Sequence, residues 1–398
     1  MSMLLFMPWC RLDRPYDLGC VRIEPFERHG PIGGLDDAGR CRVNAIMASY
    51  KTIERKPVDR AALVRFNGKS PIDELTESEV EDAYELVALA AFCGLAGREY
   101  FNTSGSYCNS DCFALYVQRF DRADFTALST RRREGRSQSM WPVDDIAITV
   151  PVHCHTVGEV RLDAALLGSL TARRTQSAPD DWARWQNAIA CFNQANTDSD
   201  NVQHQVEWVL LCSAFEHLLK AKSAAIDVAT KFSDALKPSS ELLASNAKRR
   251  SCRWTGTGVS LRCEWMREFY RIRGDFAHGK LNTQQPAVWN PLEHLVLATI
   301  AFPLLVKCRL KDAGRYQLTT GDQAQIDSFE SFADTDNPLK PPCDQKSSLD
   351  SHWKRLCDER KSNLHLEEAW EKAKLKVRGP CDNGDAACEG RDALGETR

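Results

Sequence analysis

An arginine and a histidine five positions apart are the residues of this chain best suited to catalysis. They are Arg273 and His278, within the segment 269–280. Histidine exchanges a proton near neutral pH, because its unperturbed pKa is about 6.5. Arginine is a permanent cation whose planar fork fits a phosphate. Metal-free cleavage of a phosphodiester needs proton transfer and charge stabilisation, and in RNA the 2′-OH can attack its own phosphate. The pair therefore predicts a site for RNA cleavage that uses no metal and no cofactor.

The spacing of the two residues does not place them on one face of a helix. Five residues turn by roughly 140° beyond a full circle at about 100° per residue. Gly274 and Gly279 could loosen the helix end, and the long arginine side chain could swing back. A second copy of the helix in a homodimer could also complete the site. A simpler role for His278 is to lie as a cation against the carbonyls of a helix end.

Charge around this segment differs from the charge of the whole chain. The 398 residues include 52 Lys+Arg and 55 Asp+Glu, a formal net charge of −3. Between residues 248 and 280, nine residues are basic and only Glu264, Glu268 and Asp275 are acidic. The basic residues are Lys248, Arg249, Arg250, Arg253, Arg262, Arg267, Arg271, Arg273 and Lys280. Such a patch could attract a phosphate backbone, although a solvated helix face has the same composition.

A bundle of helices is predicted to hold this segment. Apolar residues repeat at helical spacing over 180–194, 202–222, 224–236, 262–279 and 288–311. The helix at 202–222 is apolar almost all round, as is typical of a central bundle helix. We therefore predict an all-α bundle over residues 180–315.

The segment 269–280 resembles the signature of the HEPN superfamily, which reads Arg, four to six residues, then His, often followed by Gly. The stretch 207–220, with Ser-Ala-Phe-Glu ending at Glu216, is similar to the preceding helix of ApeA-like, abortive-infection HEPN proteins. The resemblance covers roughly residues 180–315. It implies a HEPN-like bundle that forms a homodimer and brings two Arg/His motifs together.

This resemblance implies a metal-independent endoribonuclease, a toxin or effector of antiviral defence that often cleaves tRNA. Carried onto this chain, Arg273 binds the phosphate and the transition state, and His278 is the general acid/base. Glu216 lies in an apolar helix and needs a partner, so it would orient one of them, or else pair with Lys220 at i+4. Gly274 departs from the family, whose members often carry a polar residue there. A catalytically inactive module that binds RNA, nucleotide or a protein partner is the alternative function.

The N-terminal residues 1–170 are predicted to form a mixed α+β domain that senses a trigger, restrains the nuclease or binds a partner. The trigger would be phage-derived or a protein. Thr76 and Glu79 have the spacing of a capping box, and the helix that follows should end near Gly94 and Gly97. Strand-like alternation is found at 62–66, 113–117 and 146–150.

The remaining features concern metal binding, the C-terminal extension and localisation. A loose zinc-ligand pattern is formed by Cys108, Cys112, His153, Cys154 and His155, with buried free thiols as the alternative. Residues 316–398 are predicted to comprise a Pro-rich linker, a charged helix and a flexible tail. The longest apolar run, 295–306, is too short to span a bilayer. With no signal-peptide pattern either, we expect a cytoplasmic protein without membrane contact.

Overall fold

The computed structural model describes residues 2–100, 106–122, 125–132, 135–142, 147–154, 156–222, 224–250, 258–277, 287–339 and 351–377. A β-sheet region with helices extends over residues 2–160, and an all-helical region follows over 164–374. The predicted fold class, an α+β part followed by an all-α part, is confirmed.

The N-terminal region is built on an antiparallel sheet. Its strands lie in the order β10-β9-β8-β1-β5-β3-β2, with β6 also paired to β1. Two short pairs, β11 with β4 and β12 with β7, lie outside it. The strands are β1 (Ser2–Met7), β2 (Tyr16–Asp17), β3 (Val21–Glu27), β4 (Tyr50–Lys51), β5 (Arg60–Phe66), β6 (Ile72–Glu74), β7 (Tyr107–Cys108), β8 (Tyr116–Arg122), β9 (Phe125–Arg132), β10 (Gly135–Pro142), β11 (Ile148–Thr149) and β12 (Thr156–Val157).

Only one of the three predicted strands is confirmed over its full predicted range. Residues 62–66 lie in β5, whereas 146–150 contributes only the two residues of β11. The run at 113–117 begins instead with a short 3-10 helix, Ser110–Phe113, before β8. Phe113 is buried there because its ring packs against Gly94, where a Cβ would lie 2.6 Å from the ring.

The helices within the described residues agree closely with the predicted bundle and extend beyond it. They are α1 (Asp37–Ser49), α2 (Glu77–Ala96), α3 (Ala164–Gln176), α4 (Pro179–Gln194), α5 (His204–Leu219), α6 (Ala225–Ala235), α7 (Leu261–Ala277), α8 (Pro291–Asp312), α9 (Thr320–Ala333) and α10 (His352–Val377). The predicted bundle helices correspond to α4 to α8. The sequence analysis did not predict α1, α3 or α9.

Helix α2 joins the sheet region to the helical region. Its predicted capping box is present: the Glu79 backbone N–H donates to Thr76 Oγ1 at 3.2 Å, and the Thr76 N–H donates to Glu79 Oε2 at 2.8 Å. The Phe92 ring lies 5.4 Å from the Phe192 ring of α4, and Phe192 stacks on Phe302 of α8 at 4.8 Å. The two regions therefore share one hydrophobic core.

Helix α8 is long and strongly apolar. Among the described residues it alone is long and apolar enough to cross a membrane, but 78% of its most apolar window is buried inside the protein. Asn290 and Glu293 form a capping box at its start, with Pro291 in the first helical position. A helix at the centre of a bundle has the same apolar character, so its composition does not distinguish a core helix from a membrane span.

The C-terminal extension packs partly on the bundle. Arg262 of α7 is buried, and its Nη1 lies 2.8 Å from Glu330 Oε1 of α9. Trp353 near the start of α10 is buried, whereas Leu366 and Trp370 further along are exposed. The predicted charged helix is confirmed. The predicted linker lies largely, and the predicted tail entirely, outside the described residues.

Candidate active site

Arg273 and Glu216 meet where α5 packs against α7. Arg273 lies near the end of α7, and Glu216 lies in the last turn of α5. Arg273 Nη2 is 3.9 Å from Glu216 Oε2, and the two side chains are 26% and 17% exposed. An ion pair at this depth is only partly screened by water. Glu216 thus lies beside Arg273, one of the two partners that the sequence suggested for it.

Aromatic packing fixes the position of α7. Trp265, Phe269 and Ile272 are buried along one stripe of the helix, as the sequence indicated. Phe269 stacks on Trp208 of α5 at 4.9 Å, and the Trp208 indole N–H donates to the Phe269 carbonyl at 2.9 Å. The register between the two helices is therefore set by large side chains that cannot slide without losing these contacts.

Tyr270 supports Arg273 from its own helix. The guanidinium carbon lies 5.4 Å from the centre of the Tyr270 ring, and Nη1 donates to the Tyr270 hydroxyl at 3.4 Å. Tyr270 itself is buried. Burial raises the pKa of the Cys212 thiol, although the Arg273 cation acts in the opposite direction. The cation is thus held between a carboxylate and an aromatic face.

The ion pair leaves some hydrogen-bonding capacity unused. Within the described part of the chain, Glu216 Oε1 and Arg273 Nε are buried and have no hydrogen-bond partner. The alternative partner of Glu216 is excluded, because the Lys220 ammonium lies 2.7 Å from Asp181 Oδ1. The Arg273–Glu216 contact is therefore a single long ion pair rather than a two-pronged one.

Of the two other residues of the predicted motif, the structure describes Gly274 but not His278. Gly274 lies in α7, and a Cβ built on it would meet nothing within 4 Å, so the helix is open to a side chain there. His278 lies outside the described residues. Its approach to Arg273 and the convergence of two motifs in a dimer both remain predictions.

The basic patch predicted from the sequence is smaller in the structure. Arg262 and Arg249 point inward: the Arg262 side chain is 2% exposed, and Arg249 Nη2 lies 2.7 Å from Glu293 Oε2. Neither is free to bind an RNA backbone. The sequence could not reveal this, because their partners Glu330 and Glu293 are far away along the chain.

Sequence reasoning missed a buried pair next to the site. Glu268 of α7 lies 3.1 Å from Nε2 of His294 in α8, and it accepts the backbone N–H groups of Val288 and Trp289. Burial lowers the pKa of His294, although Glu268 acts in the opposite direction. Glu268 therefore anchors the start of the chain that follows residues 278–286. The sequence feature that could have indicated this pair is the position of Glu268 next to the aromatic residues of α7.

A cavity of about 910 Å³ lies beside the end of α7. Ile272 and Phe276 of α7 line it, together with Trp208, Arg249 and Asn290. It borders the helix that carries Arg273, although Arg273 is not among its lining residues.

The described residues do not support zinc binding by the loose Cys/His pattern. Cys108, Cys112 and Cys154 are buried and not in disulfides, and His153 Nε2 lies 2.7 Å from Asp111 Oδ2. His155 lies outside the described residues. Over the described ranges, no three His, Cys, Asp or Glu side chains are arranged to hold a metal ion.

Comparisons of the chain with family models, with curated proteins and with solved structures find no match. The HEPN resemblance is therefore carried by the motif residues alone.

Proposed function

We propose that this chain is a metal-independent endoribonuclease, an effector of the abortive-infection type whose helical region cleaves RNA, with tRNA as the first substrate to test. The 2′-OH attacks the adjacent phosphate, leaving a cyclic phosphate and a 5′-OH end. The observation that supports this best is the placement of Arg273, a half-buried cation at a helix end, between Glu216 and Tyr270.

Each residue of the motif has one role in this proposal. Arg273 binds the phosphate and stabilises the charge that develops on its oxygens. His278 takes the proton from the 2′-OH or gives one to the leaving oxygen. Glu216 acts through Arg273 as a positioning residue. In a homodimer, a second copy of the motif completes the cleft.

The N-terminal region would sense the trigger. Its helix α2 shares the Phe92, Phe192 and Phe302 cluster with α4 and α8. A change in the sheet region that shifts α2 would therefore displace packed side chains inside the bundle, because packed cores transmit displacement.

An inactive module that binds RNA, nucleotide or a protein is the second candidate, and one observation favours it. Glu216 partly neutralises Arg273, and Gly274 offers no polar group in a position with room for one. Such a protein would bind its ligand without cutting.

Expression of the wild type beside Arg273→Ala, with total RNA sequenced for new 5′-OH ends, tests the proposal. Arg309→Ala is the control, because Arg309 lies on α8, outside the basic stretch 248–280, and its side chain is partly exposed. We expect new ends with the wild type and with the control, and none with Arg273→Ala. A wild type that binds RNA but produces no new ends would support the inactive module.

A further inference from the structure

Two thiols of the sheet region meet in the wall of a small cavity. Cys112 lies in the 3-10 helix Ser110–Phe113, and Cys154 lies in the turn at 151–154. Their sulfur atoms are 3.8 Å apart, and neither cysteine is in a disulfide. The two residues are 42 positions apart along the chain, so the fold brings them together.

Hydrogen bonds on both sides of the pair fix this approach. The Asn109 side chain donates to the His153 carbonyl and accepts the Cys112 thiol at 3.2 Å. The Asp111 carboxylate lies 2.7 Å from His153 Nε2. The residues that flank the two thiols are thus held to each other. A disulfide has a sulfur–sulfur distance of about 2.05 Å, so the two sulfur atoms must move closer together for the bond to form.

Small reagents have a route to the pair. Cys112 and Cys154 both line a cavity of about 290 Å³, together with Trp9, Arg11 and Arg60. Arg11 at its edge is exposed. Cys154 is 8% exposed and Cys112 is 1% exposed, whereas Cys93 and Cys212 are fully buried.

We infer that Cys112 and Cys154 are a thiol-oxidation site that closes into an intramolecular disulfide by exchange with a low-molecular-weight disulfide such as oxidised glutathione. This site is independent of the proposed nuclease. In the first step, the Cys112 thiolate attacks one sulfur of the reagent, whose S–S bond breaks and releases one thiol. In the second step, Cys154 loses its proton and attacks the Cys112 sulfur, which releases the second thiol. The protein pair loses two electrons, and the reagent disulfide gains them as two thiols.

The order of the two steps follows from the environment of Cys154. The hydrogen-bond contact with Cys112 and burial both raise the pKa of Cys154. Cys154 is therefore assigned the second step, in which its target sulfur is already in contact.

Peptide mapping of the reduced full-length protein after treatment with oxidised glutathione tests this inference. We expect a Cys112–Cys154 linkage whose formation is reversed by dithiothreitol. The exposed Cys20 and Cys41 should form mixed disulfides with glutathione, which shows that the reagent is active. Absence of the linkage in the wild type, or a linkage of Cys154 to Cys10 or Cys108, would overturn it.

Variants sharpen the test. Cys112→Ser and Cys154→Ser should each abolish the linkage, whereas Cys108→Ser and the matched buried control Cys93→Ser should retain it. Because the linkage is mapped first on the wild type, the result does not depend on whether every variant folds.

Discussion

Glu216 and Arg273 approach to 3.9 Å from two helices, α5 and α7, that are locked together by aromatic stacking. Each keeps one buried polar atom without a partner in the described part of the chain. The contact is therefore a single ion pair that leaves hydrogen-bonding capacity on both side chains.

Glu216→Gln should lower the rate of RNA cleavage while leaving the fold intact. The amide cannot attract the guanidinium as a carboxylate does, so Arg273 loses its fixed position, and misplacement of a catalytic group can cost up to about a hundredfold. Single-turnover cleavage assays should show a reduced rate constant with little change in RNA affinity. Glu207→Gln on the same helix is the control. Equal losses in both variants would argue against a positioning role.

Gly274→Asn tests whether the missing polar group limits activity. A side chain at this position has open space, so the variant should fold normally. Asn also has a slightly better helix propensity than Gly. We expect cleavage equal to or faster than that of the wild type in the same assay. Loss of cleavage with an unchanged melting temperature would show that activity requires a residue without a side chain at position 274.

Gly94→Ala and Gly168→Ala are a matched pair that tests the packing of α2. A Cβ at Gly94 would lie 2.6 Å from the Phe113 ring, whereas a Cβ at Gly168 in α3 would meet nothing within 4 Å. Overpacking should destabilise Gly94→Ala by about 1–3 kcal/mol. Gly168→Ala should instead stabilise the protein by up to about 1 kcal/mol. Urea unfolding measures both, and a neutral Gly94→Ala would contradict the close approach of Phe113.

Acid should weaken the contact between α8 and α9. Burial would raise the pKa of Asp322, but Lys307 at 2.6 Å and hydrogen bonds from Thr319 outweigh it, so the pKa is lowered. A carboxyl whose pKa is lowered by folding stabilises the protein above its unfolded pKa of about 3.9, and this contribution is lost as pH falls below that value.

The free energy of unfolding, measured in urea at neutral pH and near pH 3, should therefore fall less in Asp322→Asn than in the wild type. At neutral pH this variant should be destabilised by about 1–3 kcal/mol, because Lys307 loses one of its two carboxylate partners and keeps Asp163 at 2.7 Å. Asp312→Asn, at an exposed position, should behave like the wild type. An unchanged pH dependence in Asp322→Asn would contradict the lowered pKa.

Local patterns in the sequence predicted part of this structure. The periodic apolar residues of α5 and α7 and the capping box of α2 were sufficient to predict these helices, because each pattern depends on residues within a few turns of one another. Strand β1 was hidden, because its residues Met3–Met7 are all buried and do not alternate. Its place in the sheet depends on β5 and β8, which lie far along the chain.

The candidate site was likewise predicted only in part from the sequence. Arg273 and Glu216 were both found from their residue types and context, and the structure brings them together. The inward orientation of Arg249 and Arg262 could not be predicted, because a charged residue is expected to be exposed unless its distant carboxylate partner is known. The Glu268–His294 pair was missed for that reason too.

Cleavage of RNA by the purified full-length protein in EDTA, compared with His278→Ala, is the most direct measurement. We predict that the wild type cuts RNA without divalent metal and leaves 2′,3′-cyclic phosphate ends, and that His278→Ala reduces the rate by at least about a hundredfold. Cleavage that requires a divalent metal, or that persists unchanged in His278→Ala, would contradict the proposed Arg273–His278 chemistry.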